Sequence, residues 1–126
     1  MAQVLPSAAR TATVTGVLKG WNVNAPRSFM LLIDTTAFTG GQTVTPSIEL
    51  WDSTSSTWIE FAQMVAVSAT GETIYIVREG EASAAGNVTD VFTRNIPGVD
   101  QVRLKMTHSD ASSHTYSVAV YWYPPA

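Results

Sequence analysis

The clearest pattern in the chain is a strict alternation of apolar and polar residues near its C-terminal end. In residues 101–107 every second position is apolar, and Arg103 and Lys105 stand between the apolar positions. The same alternation runs through residues 114–122. Period two places one row of side chains on a core and the other in water. We therefore predict two strands, joined as a β-hairpin by the polar run 109–113. The inward rows are Val102, Leu104 and Met106, then Tyr116, Val118, Val120 and Trp122.

Six further apolar or alternating stretches, separated by turn residues, predict strands in the rest of the chain. They are 12–18, 29–34, 44–51, 58–61, 64–67 and 73–78. The stretch 29–34 is almost uniformly apolar, as is typical of a central strand covered on both faces. The polar run 52–56 predicts a hairpin loop. No stretch keeps a helical period, so we expect a single all-β domain, residues 1–126. Its architecture is a β-sandwich or jelly roll of about seven or eight antiparallel strands.

Two segments depart from this pattern. Residues 79–97 are rich in small side chains and too numerous for a structureless loop in a compact domain. We expect this long loop to hold a short strand or helical turn, or to be a functional arm. Residues 1–10 are expected to be a flexible or partner-bound N-terminal segment. They lack the basic start and apolar core of a secretory signal.

Composition narrows the range of functions. The chain has 126 residues, no cysteine and a net charge of −3. The absence of cysteine excludes disulfides and thiolate metal sites, and the acidic balance argues against a nucleic-acid partner, which needs a basic face. The apolar runs are far shorter than the ~20 residues that cross a bilayer, so we expect no membrane partner. Only 13% of the residues are charged, about half the usual ~25%, which favours a domain docked among copies of itself.

Candidate chemistry is sparse. His108 and His114 flank the run 109–113, with Asp110 between them, and the three could be drawn as metal ligands or, with a nearby serine, as a hydrolase triad. No fourth ligand or orienting group can be named, so we interpret them as residues of a solvated turn. The glycines match neither a phosphate loop nor a dinucleotide motif. We predict no catalytic residue, no cofactor, no metal site and no enzymatic activity.

Aromatic residues are the stronger signal. The chain has four tryptophans, of which Trp51 and Trp122 lie at predicted strand ends. A tryptophan on a strand normally packs in the core, but exposed aromatic side chains mark protein interfaces or platforms for sugar rings. All three interpretations stay open from the residues alone.

Several short stretches carry a resemblance to a known group of proteins. They are TPSIELWD (45–52), WIEF (58–61), SATGET (68–73), NIP (95–97), THSDA (107–111) and YSV (116–118). Together they resemble the small β-sandwich virion proteins of tailed bacteriophages and prophages, which are similar in size and pattern to capsid decoration (cement) proteins. The resemblance runs from about residue 28 to residue 121, and its motifs are turns and strands. Residues 22–27 and the tryptophan- and proline-containing C-terminus depart from it.

This resemblance implies a structural virion protein that binds the outer surface of the phage head and stabilises the shell. The implied partners are the major capsid protein and two further copies of the chain in a homotrimer. The implied location is the capsid surface of a virion assembled in the host cytoplasm. Two alternatives remain, a phage tail or baseplate module and a carbohydrate-binding β-sandwich. We expect the capsid or inter-subunit contacts to involve Val4, Leu5, Arg10, Phe92, Arg94 and Trp122.

Overall fold

The computed structural model describes residues 2–18, 28–79, 84–85, 88–93 and 102–122. Every regular element in these residues is a β-strand, which confirms the all-β class. No helix among them is long and apolar enough to span a membrane. The strands are β1 (Ala2–Arg10), β2 (Val14–Val17), β3 (Ser28–Ala37), β4 (Val44–Asp52), β5 (Thr57–Gln63), β6 (Gly71–Glu79), β7 (Ala84–Ala85), β8 (Val88–Thr93), β9 (Val102–His108) and β10 (His114–Trp122).

The strands form two sheets packed as a β-sandwich. Sheet A has the order β1-β10-β3-β6-β8-β7, and sheet B has the order β2-β9-β4-β5. Neighbouring strands are antiparallel, except for the parallel pair β6 and β8. Buried apolar side chains from both sheets form one core cluster between them. This arrangement is the expected one for two sheets that each bury one face.

The inward rows predicted by the alternation form the centre of this core. Val102, Leu104 and Met106 of β9 are at most 3% exposed. Tyr116, Val118 and Val120 of β10 are at most 1% exposed. Full burial of an aliphatic or aromatic side chain contributes about 1.5–3 kcal/mol, so the two rows are a major part of the stability of the domain.

Strand β3 is central, as predicted, because it pairs with β10 on one side and with β6 on the other. Its burial nevertheless alternates. Phe29, Leu31 and Ile33 are fully buried, whereas Met30 and Leu32 are only partly buried. The expectation that this strand is covered on both faces is therefore wrong, because its second row lies on the outer side of sheet A.

The predicted C-terminal hairpin is also wrong. Strand β9 lies in sheet B between β2 and β4, and β10 lies in sheet A between β1 and β3. Residues 109–113 therefore cross from one sheet to the other. Each strand has its own apolar row, and facing rows from opposite sheets bury both rows against each other, which a hairpin within one sheet does not do.

The hairpin predicted around residues 52–56 is confirmed. Strands β4 and β5 pair up to Asp52 and Thr57, and the Asp52 carboxylate accepts hydrogen bonds from the Thr54 amide at 2.9 Å and the Ser55 hydroxyl at 2.8 Å. Ser56 closes the turn with a φ of 55°. These hydrogen bonds lower the pKa of the Asp52 carboxyl, with the Ser55 hydroxyl as the largest cause.

The N-terminal residues are part of the sandwich. Strand β1 pairs with β10 along the edge of sheet A, and Leu5 is a 6% exposed member of the core. Val4 packs so closely against Gly16 of β2 that a Cβ added to this glycine would lie 2.8 Å from Val4 Cγ1. This corrects the expectation of a flexible segment at residues 1–10, because pairing and burial hold residues 2–10 within the sandwich.

Two further segments refine the strand prediction. The long loop 79–97 holds the short strands β7 and β8, as one of its two interpretations anticipated, and its remaining residues from 80 onwards lie outside the described part of the chain. Residues 64–67 form no strand. Val67 instead makes an isolated antiparallel bridge to Val44, with backbone hydrogen bonds of 3.0 and 2.8 Å between them.

Candidate functional site

The hairpin β4–β5 places two tryptophans side by side on sheet B. Trp51 and Trp58 are directly opposed in register, and their ring centroids lie 5.4 Å apart in an edge-to-face arrangement with an interplanar angle of 62°. Such aromatic pairs contribute about 0.5–1.5 kcal/mol beyond their buried area. Both rings are partly exposed, so the pair forms a rigid aromatic surface.

An arginine from the neighbouring strand joins this aromatic pair. The Arg103 guanidinium lies over the Trp58 ring, 4.1 Å from the centroid, and its Nε donates a hydrogen bond to Glu49 Oε1 at 2.8 Å. Lys105 Nζ lies 3.9 Å from Glu49 Oε2. Glu49 is on the outer row, because it is in register with Arg103. It is nevertheless only 7% exposed, since these long side chains cover it.

The apolar side chain of Val17 extends this surface. Val17 is opposite Arg103 in the ladder between β2 and β9, and it is 66% exposed. We call the outward set Val17, Glu49, Trp51, Trp58 and Arg103 the sheet-B face. It combines exposed apolar area with an ion pair that is already neutralised within the chain. Aromatic and arginine side chains are the types most enriched at the energetic centres of protein interfaces.

A second cluster of side chains contains the two histidines. Their burial shows that the prediction of a solvated turn is wrong. His108 is 9% exposed and His114 is fully buried, although Ser109–Ala111 between them is exposed. His108 Nε2 is 2.8 Å from the Tyr116 hydroxyl, and the two imidazole centroids are 5.4 Å apart. Both histidines continue the inward rows of β9 and β10, which explains their burial.

The loop between β3 and β4 closes over this cluster. Phe38 stacks on the His114 ring with centroids 4.0 Å apart, and the Thr39 amide donates to His114 Nδ1 at 3.2 Å. We call the set Phe38, Thr39, His108, His114 and Tyr116 the histidine end. His108 Nδ1 and His114 Nε2 are buried without a hydrogen-bond partner in the described part of the chain.

Arg10 covers the histidine end from β1. Its guanidinium lies 4.7 Å from the Tyr116 ring centroid and donates to the carbonyl oxygens of Tyr116 at 2.5 Å, Ala8 at 3.2 Å and Pro6. Burial raises the pKa of the Tyr116 phenol to about 12, although the Arg10 charge opposes this shift. Burial also lowers the pKa of His108, with His114 and Arg10 adding to the effect and Asp110 opposing it. At neutral pH the cluster therefore holds a neutral phenol and a neutral His108.

The structure distributes the predicted contact residues rather than gathering them. Leu5 lies in the core and Val4 packs against it, and the donors of Arg10 bind carbonyl groups of the same chain. Phe92 lies in β8 opposite Arg78 in register. Three strands of sheet A separate it from β1.

The last two predicted contact residues lie at or beyond the ends of the described segments. Trp122 ends β10, opposite Phe29 in register. Arg94 lies outside the described residues, as do Trp21 and Tyr123. Among the described residues, no three His, Cys, Asp or Glu side chains are grouped as a metal site would require.

The arrangement around Arg103 could not be predicted from the sequence. The alternation places Arg103 on an outward row, but its contact with Glu49 depends on the pairing of β4 with β9, which are 50 residues apart in the chain and carry no local signal of that pairing. Comparison with known protein families finds no family that matches the chain, and comparison with curated proteins finds no match. The function is therefore argued from the residues and their geometry.

Proposed function

We propose that the chain is a structural virion protein, a capsid decoration protein that binds the outer surface of a tailed-phage head and stabilises the shell. Two of the stretches that resemble small virion proteins, residues 45–52 and 58–61, lie in the β4–β5 hairpin. That hairpin supplies three of the five members of the sheet-B face. Stretches that carry the resemblance therefore also form most of the candidate interaction surface.

The observation that carries the proposal is the composition and geometry of the sheet-B face. Two tryptophans and an arginine are fixed against one another on paired strands, so little side-chain entropy is lost when a partner covers them. Because Glu49 already neutralises Arg103 at 2.8 Å, docking an uncharged surface there does not leave the Arg103 charge unpaired. These properties suit a stable interface with a protein lattice.

A protein partner fits this face better than a sugar does. Stacking on a sugar ring requires a free aromatic face, but the Arg103 guanidinium occupies one face of Trp58 at 4.1 Å. The edge-to-face contact with Trp51 occupies further area around the ring. A tail or baseplate surface has the same chemistry as a head surface, so the location of the chain on the particle distinguishes these two virion roles.

The mechanism of stabilisation is mass action. A chain that binds the assembled shell and not the dissociated subunits lowers the free energy of the shell by its binding free energy at every occupied site. A homotrimer presents three sheet-B faces to a repeating lattice, and this multivalency raises the effective affinity without new contacts. The low charge of the domain keeps repulsion between neighbouring copies small.

The test uses purified chain and phage shells that lack it. The native protein is expected to be a trimer by light scattering, to co-sediment with the shells and to raise their unfolding temperature. Trp58→Ala and Trp51→Ala are expected to weaken binding at least tenfold, since truncation of a central interface tryptophan costs about 2 kcal/mol or more. Val65→Ala is the matched control, because Val65 is 65% exposed and apolar but lies outside the sheet-B face.

The outcomes separate two claims. A native chain that does not bind the shells contradicts the decoration function. Native binding that both tryptophan variants retain, with unchanged circular dichroism, contradicts the assignment of the sheet-B face alone. If the native chain binds glycans and Trp51→Ala does not, the carbohydrate-binding alternative is favoured.

A further inference from the structure

The histidine end joins the two connections that link the sheets at one end of the sandwich. Residues 38–43 lead from β3 to β4, and residues 109–113 lead from β9 to β10. Beyond the bond from the Thr39 amide to His114, the Thr39 hydroxyl donates to the Ser113 carbonyl at 2.8 Å, and the Ser109 amide donates to the Thr43 carbonyl at 3.0 Å. The imidazoles lie directly beneath these links.

The hydrogen-bond geometry leaves no acceptor, within the part of the chain that the structure describes, for a second proton on either imidazole. His114 Nδ1 accepts the Thr39 amide proton at 3.2 Å, so a proton on that nitrogen would face another N–H group and break the bond. His108 uses Nε2 on the Tyr116 hydroxyl, and its Nδ1 has no acceptor among the described residues. A second proton on either ring would therefore be buried without an acceptor, which is unfavourable.

The charges around His108 also disfavour its protonation. From β1, the cationic Arg10 lies against Tyr116, and Tyr116 itself is the neutral neighbour from β10. From the turn, Asp110 is the one nearby carboxylate among the described residues, and its oxygens bind the Ser112 amide and hydroxyl at 2.8 and 3.0 Å. The β3–β4 loop contributes the uncharged Phe38 and Thr39. The Asp110 carboxylate is thus hydrogen-bonded within its own turn, and the residue is exposed.

We propose that the histidine end is an acid-sensitive latch, closed by two neutral imidazoles and released when either takes up a second proton. Opening separates residues 38–43 from residues 109–113 while the pairing within sheets A and B persists. This device goes beyond the proposed virion function and does not depend on it.

The sign of the pH dependence follows from linkage. An exposed imidazole has a pKa near 6.5, and burial holds the pKa of His108 lower in the closed form. The open form therefore binds more protons at acidic pH. Closure is fully stable above about pH 6.5, and its equilibrium constant falls up to tenfold per pH unit for each proton taken up, until the pH reaches the pKa of the closed form.

Hydrogen exchange of backbone amides, corrected for intrinsic rates, measures the opening directly. The amides of Thr39 and Ser109 are expected to lose at least tenfold protection between pH 7.5 and pH 5, while amides in the centre of β3 and β6 keep theirs. A parallel loss of protection at all sites would mean global unfolding and would contradict a local latch. Constant protection of Thr39 down to pH 5 would contradict it equally.

A non-titrating variant provides the control. His108→Gln keeps a polar group at the position of Nε2, and His114→Asn keeps an acceptor at the position of Nδ1, so the double variant can retain both observed bonds. Its protection at Thr39 is expected to be independent of pH, and a loss equal to that of the native chain would overturn the proposal.

NMR of the native protein tests the latch even if the double variant does not fold. The chain contains two histidines, so each ring signal can be assigned by its response to one substitution. We expect His114 to carry its proton on Nε2 at neutral pH and His108 to titrate below 6.5. Titration of His108 at or above 6.5 would overturn the latch.

Discussion

Removing the Arg103 guanidinium tests the cluster that organises the sheet-B face. In Arg103→Met the apolar stem is kept, but the Glu49 carboxylate, 7% exposed, loses its hydrogen bond of 2.8 Å. Its remaining cation is Lys105 at 3.9 Å. Loss of one partner from a buried charged pair costs about 3–5 kcal/mol. Because 25% of the Arg103 side chain is exposed, water offsets part of this cost, and we expect about 2 kcal/mol.

Matched substitutions separate the pair from its surroundings. Lys105→Met removes a longer and more exposed contact and is expected to cost under about 0.5 kcal/mol. Glu49→Gln leaves a partly exposed guanidinium that water can solvate, and is expected to cost about 1 kcal/mol. The double variant, Glu49→Gln with Arg103→Met, leaves neither member of the pair as an unpaired charge. Its loss in free energy of unfolding is therefore expected to be smaller than the sum of the two single losses by about 1 kcal/mol or more.

Urea denaturation at pH 7, followed by tryptophan fluorescence and circular dichroism, gives the free energies of unfolding of the native chain and the four variants. The loss in Arg103→Met corresponds to a fall in Tm of roughly 8 °C for a domain of this size. Equal costs for Arg103→Met and Lys105→Met, or additive costs in the double variant, would refute the inference that the 2.8 Å contact organises this face.

The remaining predictions concern the packing of β1. Leu5→Ala removes a core side chain that is 6% exposed and should lower the free energy of unfolding by about 2–4 kcal/mol in urea denaturation; a cost below about 0.5 kcal/mol, like that expected of the exposed control Val65→Ala, would mean that β1 is not part of the folded core. Gly16→Ala places a Cβ 2.8 Å from Val4 Cγ1 and 3.0 Å from the Val4 carbonyl oxygen, so we expect a loss of about 1–2 kcal/mol. Gly40→Ala, whose Cβ would meet nothing within 4 Å, should be neutral or stabilising, and the reverse order of the two glycine variants would contradict the close approach of β1 and β2.

The parts of the fold that could be predicted from the sequence are those set by local chemistry. Alternation identified the inward rows of β9 and β10, since the period of a strand is two whatever its partners are. The turn at 52–56 was identifiable because the Asp52 side chain caps its own loop. Neither signal depends on distant parts of the chain.

The errors arose where distant pairing decides the outcome. The polar run 109–113 is compatible with a hairpin and with a crossing between sheets, and only the pairing of β9 with β4 and of β10 with β3 selects the crossing. Residues 2–10 contain mostly small side chains and Pro6, so they lack a strong strand pattern. They become strand β1 because the edge of β10 is available to pair with them.

The burial of His108 and His114 could have been predicted from the sequence. His108 follows Val102, Leu104 and Met106 at the same spacing of two, and His114 precedes Tyr116 and Val118 in the same way. The period therefore placed both imidazoles on the core side, but the polar residues between them favoured a solvated turn. The contact of Arg103 with Glu49 and Trp58 could not be predicted from the sequence, since it joins β9 to the β4–β5 hairpin, which is distant from it in the chain.

A reconstruction of phage particles that carry the chain, by electron cryomicroscopy, tests the central claim most directly. We expect density for the β-sandwich at repeated positions on the outer surface of the head, in groups of three, with Trp51 and Trp58 against the major capsid protein. Density confined to the tail or baseplate, or heads that bear none of the chain, would contradict it.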